Sequence, residues 1–289
     1  MKKIYTLLLM LLVSVMAFGQ SQSETIKKSI AVKDNSKAYW FCVCNINGDI
    51  DVEAYNGKTV EVEIIKEIRS RNAEDVRQGM EDIQVSVEEG TDYARIIMTS
   101  PDQMIKEKED PLNCSWDWNR NRRSTGYRYT LDYKIKVPEG ISVKVSTVNN
   151  GDVSVTNVDG ELYAGNVNGS VYLEGVAENV KAKTVNGRVN VSFRKMPSEF
   201  ASFDTVNGDI TLELTDKNDG VYNFVTRWGK VYSDFDFDSK VAPKMQKVTN
   251  EGSGTKYRIA NSNGYQLGNG GPTLDFETLN GNIRLKKKK

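Results

Sequence analysis

A short motif, Asn-Gly followed by an alternating apolar strand, recurs along the 289-residue chain and restricts its fold more than any other feature. Its copies read NINGDIDV, NVNGSVYL, TVNGRVNV, TVNGDITL and TLNGNIRL. Because Asn and Gly tolerate positive φ, each pair predicts a tight corner in the chain. The predicted structural corners are Asn47, Gly48, Asn150, Gly151, Asn168, Gly169, Asn186, Gly187, Asn207, Gly208, Asn280 and Gly281.

The spacing of the motifs indicates what these corners connect. The motif glycines follow at intervals of 9 residues (151, 160, 169), then 18 (187), then 21 (208, 229). Like residues at a regular interval are typical of a solenoid, in which identical side chains stack and Asn side chains can hydrogen-bond along the column. An antiparallel meander or sandwich is the competing fold, since Asn-Gly also favours hairpins. We predict an all-β fold, a β-solenoid resembling a parallel β-helix.

One helix is predicted within this all-β chain. Val76, Met80 and Ile83 fall at i, i+4 and i+7, and Asn72 can cap the start. The predicted organisation is a signal peptide at 1–19, an N-terminal β-rich part of the solenoid at 20–138 with the short helix and a long loop at 101–126, and solenoid repeats at 139–289. The last four lysines, 286–289, are expected to form a solvated basic tail.

The N-terminus has the pattern of an export signal. Lys2 and Lys3 precede a fifteen-residue apolar run, and Ala17 and Gly19 occupy the small-residue positions of a cleavage site before Gln20. The run is shorter than the ~20 residues that a membrane-spanning helix needs. The sequence therefore predicts an exported protein of the periplasm or cell surface, with no integral membrane span after cleavage.

Charge and cysteine content narrow the function classes. Without the two N-terminal lysines and residues 286–289, 33 basic residues face 39 acidic ones, so no nucleic-acid partner is predicted. Cys42 and Cys44 would lie on the same side of a strand, poorly placed to bond each other. Either one of them pairs with Cys114, or all three are free and two are buried. Because the chain has no histidine and no Cys-rich spacing, neither a metal nor another cofactor is predicted.

Catalysis is not predicted either. Without histidine the chain supplies no Ser-His-Asp or Cys-His nucleophilic site. Paired carboxylates remain conceivable, but the position after each motif glycine is mixed, with Arg188, Asp209 and Asn282 among its members. Such a column is typical of a solvated face.

The segment from Cys114 to Arg123, CSWDWNRNRR, breaks the periodic pattern. One hypothesis is that its tryptophans cover an open end of the core. The other is an exposed aromatic pair beside guanidinium groups, suited to sugar rings and to carboxylate or phosphate. The ligand-binding residues of this second hypothesis are Trp116, Trp118, Arg120, Arg122 and Arg123.

The stretches NINGDIDVEAYNGKTVEVEIIKE and YTLDYKIKVPEGISVKVSTVNNGDVSV, with the later TVNGDI-type repeats, resemble the bacterial DUF4097 group of candidate adhesins over most of residues 40–289. The N-terminal signal and the terminal lysines resemble those of Bacteroidetes envelope proteins. The long loop at 101–126, and Trp228 in place of Asn, depart from the pattern. The resemblance implies a β-solenoid, an envelope location and no catalytic residues. We therefore expect an adhesin or envelope binding module for a glycan or protein, with a self-associating scaffold as the alternative and a carbohydrate-active enzyme as a distant one.

Overall fold

The computed structural model describes residues 20–101, 103–105, 110–114, 116–118, 125–216, 218–241, 245–249, 255–259 and 263–288. The predicted signal peptide lies outside these residues. Among the helices of the described part, none is long and apolar enough to span a bilayer.

The described chain is mostly β-strand, with one helix, α1 (Ala73–Asp82). The strands of the N-terminal part are β1 (Gln20–Ala31), β2 (Trp40–Cys44), β3 (Ile50–Tyr55), β4 (Thr59–Ser70), β5 (Gln84–Glu89), β6 (Tyr93–Thr99), β7 (Gln103–Ile105), β8 (Trp116–Trp118) and β9 (Arg128–Pro138). Those of the repeats are β10 (Ser142–Ser146), β11 (Val153–Thr156), β12 (Leu162–Gly165), β13 (Val171–Val176), β14 (Val180–Lys183), β15 (Val189–Phe193), β16 (Phe200–Asn207), β17 (Ile210–Leu214), β18 (Gly220–Thr226) and β19 (Val231–Ser233). The remaining strands are β20 (Ser239–Val241), β21 (Met245–Thr249), β22 (Thr255–Ile259), β23 (Asn263–Leu267), β24 (Thr273–Asn280) and β25 (Ile283–Lys287).

These strands form two mixed sheets and two short strand pairs, β7 with β8 and β21 with β22. Sheet A has the order β1-β4-β9-β3-β11-β13-β15-β17-β25-β19, and sheet B has the order β20-β23-β18-β24-β16-β14-β12-β10-β2-β6-β5. From β10 to β17 the chain alternates between the sheets, and each strand from β10 to β15 pairs in parallel with the strand two later. An antiparallel meander, the competing prediction, is therefore wrong for this stretch.

The hydrophobic core lies where the apolar faces of the repeats point inward. On β10, β12 and β14 the buried residues alternate with outward-pointing polar ones, as period-2 strands require. Stacked aliphatic positions run through this core and include Val143, Leu162, Val180, Val153, Val171, Val189 and Ile210. The alternating apolar positions of the sequence therefore form two inward-facing layers of side chains, one from each sheet. Within a layer, equivalent positions of neighbouring strands lie side by side.

The C-terminal strands do not follow the order of the chain. β24 lies between β16 and β18, and β25 lies between β17 and β19. The terminal lysines of the described part are solvent-exposed, as expected, but Lys286 and Lys287 belong to β25 and not to a free tail. Lys287 also forms an ion pair with Asp216, and the Lys288 amide donates to the Leu214 carbonyl.

The predicted reason for the motif glycines requires correction. Of the predicted corner residues, only Gly48 and Asn150 have positive φ. At Gly208 a Cβ atom would instead fall inside contact distance of the Gly187 carbonyl, and at Gly187 the same holds for Gly169. The motif needs glycine there because stacked backbones approach each other too closely for a side chain.

The asparagines of the motif form a hydrogen-bonded column. In each bond a side-chain amide donates to the side-chain carbonyl of the next asparagine at a distance of 2.8 Å. The column runs from Asn280 through Asn207, Asn186 and Asn168 to Asn149. Asn149 therefore takes the column position at the corner where Asn150 was predicted. Asn150 instead donates to Asn47 at 3.3 Å.

A second, buried column had not been predicted. Three residues before Gly169, Gly187, Gly208 and Gly281 stands Asn or Thr, and its side chain donates to the glycine carbonyl of a neighbouring strand layer. Thr184 Oγ1 donates to Gly169 at 2.7 Å, and Thr205 Oγ1 donates to Gly187 at 3.0 Å. The recurring Thr-x-Asn-Gly pattern was the available sequence signal.

Replacing Thr205, which is only 5% exposed, tests this column. Thr205→Val keeps the shape of the side chain but removes the donor, leaving the Gly187 carbonyl without it. We expect unfolding free energy to fall by about 1–3 kcal/mol in denaturant titration. Thr205→Ser keeps the hydroxyl and should lose less. Equal losses in the two variants would show that the hydrogen bond does not stabilise the stack.

The predicted helix is confirmed. The Asn72 side chain accepts a hydrogen bond from the Glu74 amide, and Val76 is buried. By contrast, the predicted loop at 101–126 contains a short antiparallel pair in which Gln103 lies opposite Trp118. The sequence did not predict this pair, because three-residue strands among polar residues are too short to show an alternating pattern.

Candidate binding surface

The outer face of sheet A carries charges that compensate one another. Across β1, β4, β9 and β3, one row of neighbours runs Lys27, Glu63, Lys134, Asp51. The Lys27 ammonium lies 3.0 Å from the Glu63 carboxylate. This face forms a shallow groove of about 800 Å³, but the alternating row is typical of a solvated face whose charges stabilise the sheet.

The outer face of sheet B differs, because its aromatic rings alternate with lysines. Lys144 on β10 is registered with Tyr163 on β12, which is registered with Lys181 on β14. We call this region the basic-aromatic platform; it consists of Trp40, Lys144, Tyr163, Lys181, Lys183 and Phe200.

Close contacts hold the platform together. The ring centres of Trp40 and Tyr163 are 5.2 Å apart. The Lys181 ammonium lies 5.1 Å from the ring centres of both Tyr163 and Phe200, and that of Lys144 lies 5.9 Å from the Tyr163 ring. Burial, reinforced by nearby Glu161, raises the pKa of Tyr163, so its ring stays neutral. Cation–π attraction thus keeps the ammonium groups beside the rings.

The platform lysines form no ion pair within the described residues, although Lys183 lies opposite Asp204 on β16. Among the ion pairs of the described residues, none involves Lys144, Lys181 or Lys183. Because Lys144 and Lys181 sit two strands apart, their Cα atoms are separated by about 10 Å. Within the part of the chain that the structure describes, Lys144 and Lys181 therefore present positive charge that no ion pair neutralises, while Lys183 stands beside the Asp204 carboxylate.

Small side chains leave room beside the rings. Ser146 and Gly165 are neighbours in a row that continues through Lys183 to Asp204. A Cβ atom built on Gly165 would meet nothing closer than the Ser146 Cβ, at 3.4 Å. A ligand can therefore approach the rings and the ammonium groups together.

An acidic row continues the same face. Asp204 on β16 is registered with Glu277 on β24, and Asp275 lies two residues away. Burial raises the pKa of Asp204 above its ordinary value, and repulsion from Glu277 and Asp275 adds to the rise, while the Ser202 hydroxyl and the charge of Lys183 oppose it. The outer face of sheet B is thus basic on one side and acidic on the other.

Because ionised Asp204 destabilises the fold, we predict that Asp204→Asn raises the thermal stability in a pH-dependent way. A raised folded-state pKa means that ionising Asp204 destabilises the fold; the penalty is absent below the ordinary Asp pKa and complete above the folded one. We expect the variant to melt ~1–2 °C higher at pH 7 and to match the wild type near pH 3. Asp51→Asn, on the compensated face, should give no gain. A lower melting temperature for Asp204→Asn at pH 7 would contradict the assignment.

The cysteines resolve one of the two sequence hypotheses. Cys44 and Cys114 form a disulfide with Cα atoms 5.4 Å apart, while Cys42 is free and buried. The hypothesis of three free cysteines is wrong. Burial raises the pKa of Cys42 to about 12. The disulfide fastens residues 110–114 to β2 on the platform face, since Cys42 is registered with Lys144.

The predicted tryptophan–arginine site stays a prediction. Trp116 and Trp118 lie in β8, but their side chains are outside the described part of the structure, and so are Arg120, Arg122 and Arg123. The sequence pattern did not predict the platform, because its residues come from five strands separated by up to 160 positions. Their outward positions on alternating strands were the only signal.

Comparisons with known proteins give a weak structural likeness. No protein-family model and no curated protein matches the chain. A "putative cell adhesion protein" from Clostridium sporogenes is 12% identical with a TM-score of 0.44, covering 92% of this chain and all of its own. A "putative adhesin" from Bacteroides fragilis is 11% identical (TM-score 0.27), and a "putative lipid binding protein" from Parabacteroides distasonis is 10% identical (0.29); each match covers 92% of this chain and 97% of the other.

Proposed function

We propose that this protein is an exported, non-catalytic binding module of the bacterial envelope, and that its basic-aromatic platform binds an acidic glycan. The observation that carries the proposal is that Lys144 and Lys181 lie beside the rings of Tyr163 and Phe200, and that neither they nor Lys183 form an ion pair within the described residues. Aromatic rings give a sugar a surface to stack on, and ammonium groups pair with carboxylate, sulfate or phosphate.

A β-solenoid architecture accounts for the shape of this surface. In our interpretation, β10 to β17 form successive turns of a two-sheet solenoid, and the Asn and Thr columns fix their register. Outward side chains from neighbouring turns then make continuous rows, as repeat proteins use for extended ligands. An oligosaccharide chain lying across the strands would meet Lys144, Tyr163 and Lys181 in turn.

Export and adhesin membership belong to the same proposal. The N-terminal signal pattern and the DUF4097-like repeats support them. N-terminal sequencing of the exported pool should find Gln20 first, and retention of Met1 would contradict export.

A glycan array with the mature protein tests the function. Uronate, sulfated and phosphorylated glycans should bind, whereas neutral glycans of equal length should not. Release of reducing ends from a bound acidic polymer would instead favour a carbohydrate-active enzyme using the acidic row. Binding of neutral glycans alone, or of none, would overturn the proposal.

Self-association is the second candidate, and one observation favours it. At the edge of sheet A, β19 exposes Val231 and Tyr232, and Trp228 just before it is 73% exposed. Exposed strand edges with apolar side chains can pair with another copy. Sizing the protein without ligand separates the candidates, because a scaffold forms oligomers and a binding module does not need them.

A further inference from the structure

The chain brings its three cysteines into one cluster on the outer face of β2. Cys42 and Cys44 alternate on this strand and point the same way, and residues 110–114 cross above them. Arg95 positions this crossing segment by donating to the Pro111 carbonyl at 2.8 Å. The three sulfur atoms lie within 4.8 Å of one another.

The sulfur spacing resembles that of a metal–thiolate site. Cys42 Sγ lies 3.7 Å from Cys44 Sγ and 3.9 Å from Cys114 Sγ. Metal–sulfur bonds of about 2.3 Å place thiolate sulfurs roughly 3.8–4.0 Å apart in tetrahedral or trigonal geometry. Two of the three edges of such a site are therefore preformed. The third edge is the Cys44–Cys114 bond, which opens on reduction.

The surrounding charges suit a cluster of thiolates. Arg95 and Lys144 flank Cys42 on the neighbouring strands β6 and β10. One monovalent ion held by three thiolates carries a net charge of −2, which Lys144 offsets in part; Arg95 also pairs with the Glu88 carboxylate over 2.7 Å. Within the described residues the cluster offers three ligands, and the chain has no histidine to add a fourth.

We propose that reduction of the Cys44–Cys114 disulfide creates a trigonal Cu(I) site formed by Cys42, Cys44 and Cys114. A dithiol reductant supplies two electrons and two protons, giving two thiols and its own cyclic disulfide. One Cu(I) then replaces the three thiol protons. Soft thiolates select Cu(I), which three sulfurs satisfy, whereas structural Zn²⁺ sites take four protein ligands. A disulfide oxidant that accepts the two electrons reverses the sequence: it re-forms the Cys44–Cys114 bond, leaves as its own dithiol, releases Cu(I) and leaves Cys42 protonated, so the cluster holds either a disulfide or a metal.

Anaerobic titration with Cu(I) against a chromophoric bicinchoninate competitor tests the site. The reduced wild type, its fold checked by circular dichroism, should bind one Cu(I) with three sulfur neighbours in X-ray absorption. The oxidised wild type should compete far less.

Cys42→Ser gives the matched variant, because it keeps the disulfide and so the oxidised fold. Loss of an outer-shell partner alone weakens metal sites 10–100-fold, so losing this ligand should cost roughly 100-fold or more in Cu(I) affinity. Cu(I) affinity unchanged in Cys42→Ser would overturn the proposal. So would a reduced wild type that unfolds and fails to bind, or one that binds Zn²⁺ but not Cu(I).

Discussion

Gly208→Val should lower the melting temperature by about 6–12 °C, the largest stability effect expected from a single substitution in the repeats. A Cβ at this position would overlap the Gly187 carbonyl of the neighbouring strand layer, and valine adds two methyl groups. Relief requires the stacked backbones to separate, which would also strain the Thr205 hydrogen bond to Gly187. Overpacking of this kind costs about 3 kcal/mol or more, and about 2–4 °C accompany each kcal/mol in a domain of this size.

Gly165→Ala is the control for this prediction. It also adds a side chain to a glycine of the repeats, but its Cβ would meet only the Ser146 Cβ at 3.4 Å. We expect a change of about 1 °C or less in thermal melts followed by circular dichroism. Similar losses in the two glycine variants would mean that the stacked corners are not closely packed.

Removing the three platform lysines should cost about 100-fold in affinity for an acidic glycan. The variant combines Lys144→Gln, Lys181→Gln and Lys183→Gln. Each exposed charge-assisted contact is worth ~1 kcal/mol, and a total of about 3 kcal/mol corresponds to roughly 100-fold. Calorimetric titration with tetragalacturonate measures the change, with cellotetraose as the neutral ligand. Binding should also weaken as salt rises, because the contacts are screened.

The compensated face supplies a control with the same change in net charge. Lys27→Gln, Lys134→Gln and Lys136→Gln remove three lysines that lie beside acidic neighbours on sheet A. This variant should bind tetragalacturonate within about twofold of the wild type. Equal losses in the two triple variants would indicate attraction by net charge alone, without a platform.

The local elements of this fold followed from the sequence, because they depend on neighbours in the chain. Asn72 and the spacing of Val76 and Ile83 predicted the helix, and period-2 alternation predicted the strands. The sequence did not show why glycine is required at the corners. Positive φ and close backbone approach both demand glycine, and only the stacked neighbour, Gly187 against Gly208, distinguishes them.

The order of the strands in the sheets could not be predicted, because it depends on contacts between residues that are far apart in the chain. Nothing local in TLNGNIRL indicates that β24 and β25 insert between earlier and later strands. The disulfide partner of Cys114 was left open, since two cysteines on one face of β2 lie at similar reach. The platform depends on register between strands, and register is a property of the assembled sheet.

Lysine labelling tests the central claim, that an acidic glycan binds on the outer face of sheet B, most directly. The mature protein is acetylated with a limiting acylating reagent, with and without saturating tetragalacturonate, and modification is read by peptide mass spectrometry. We predict that the ligand protects Lys144, Lys181 and Lys183 and leaves Lys134 and Lys136 of sheet A unchanged. Protection confined to sheet A, or equal reactivity of all five lysines with and without ligand, would contradict the account.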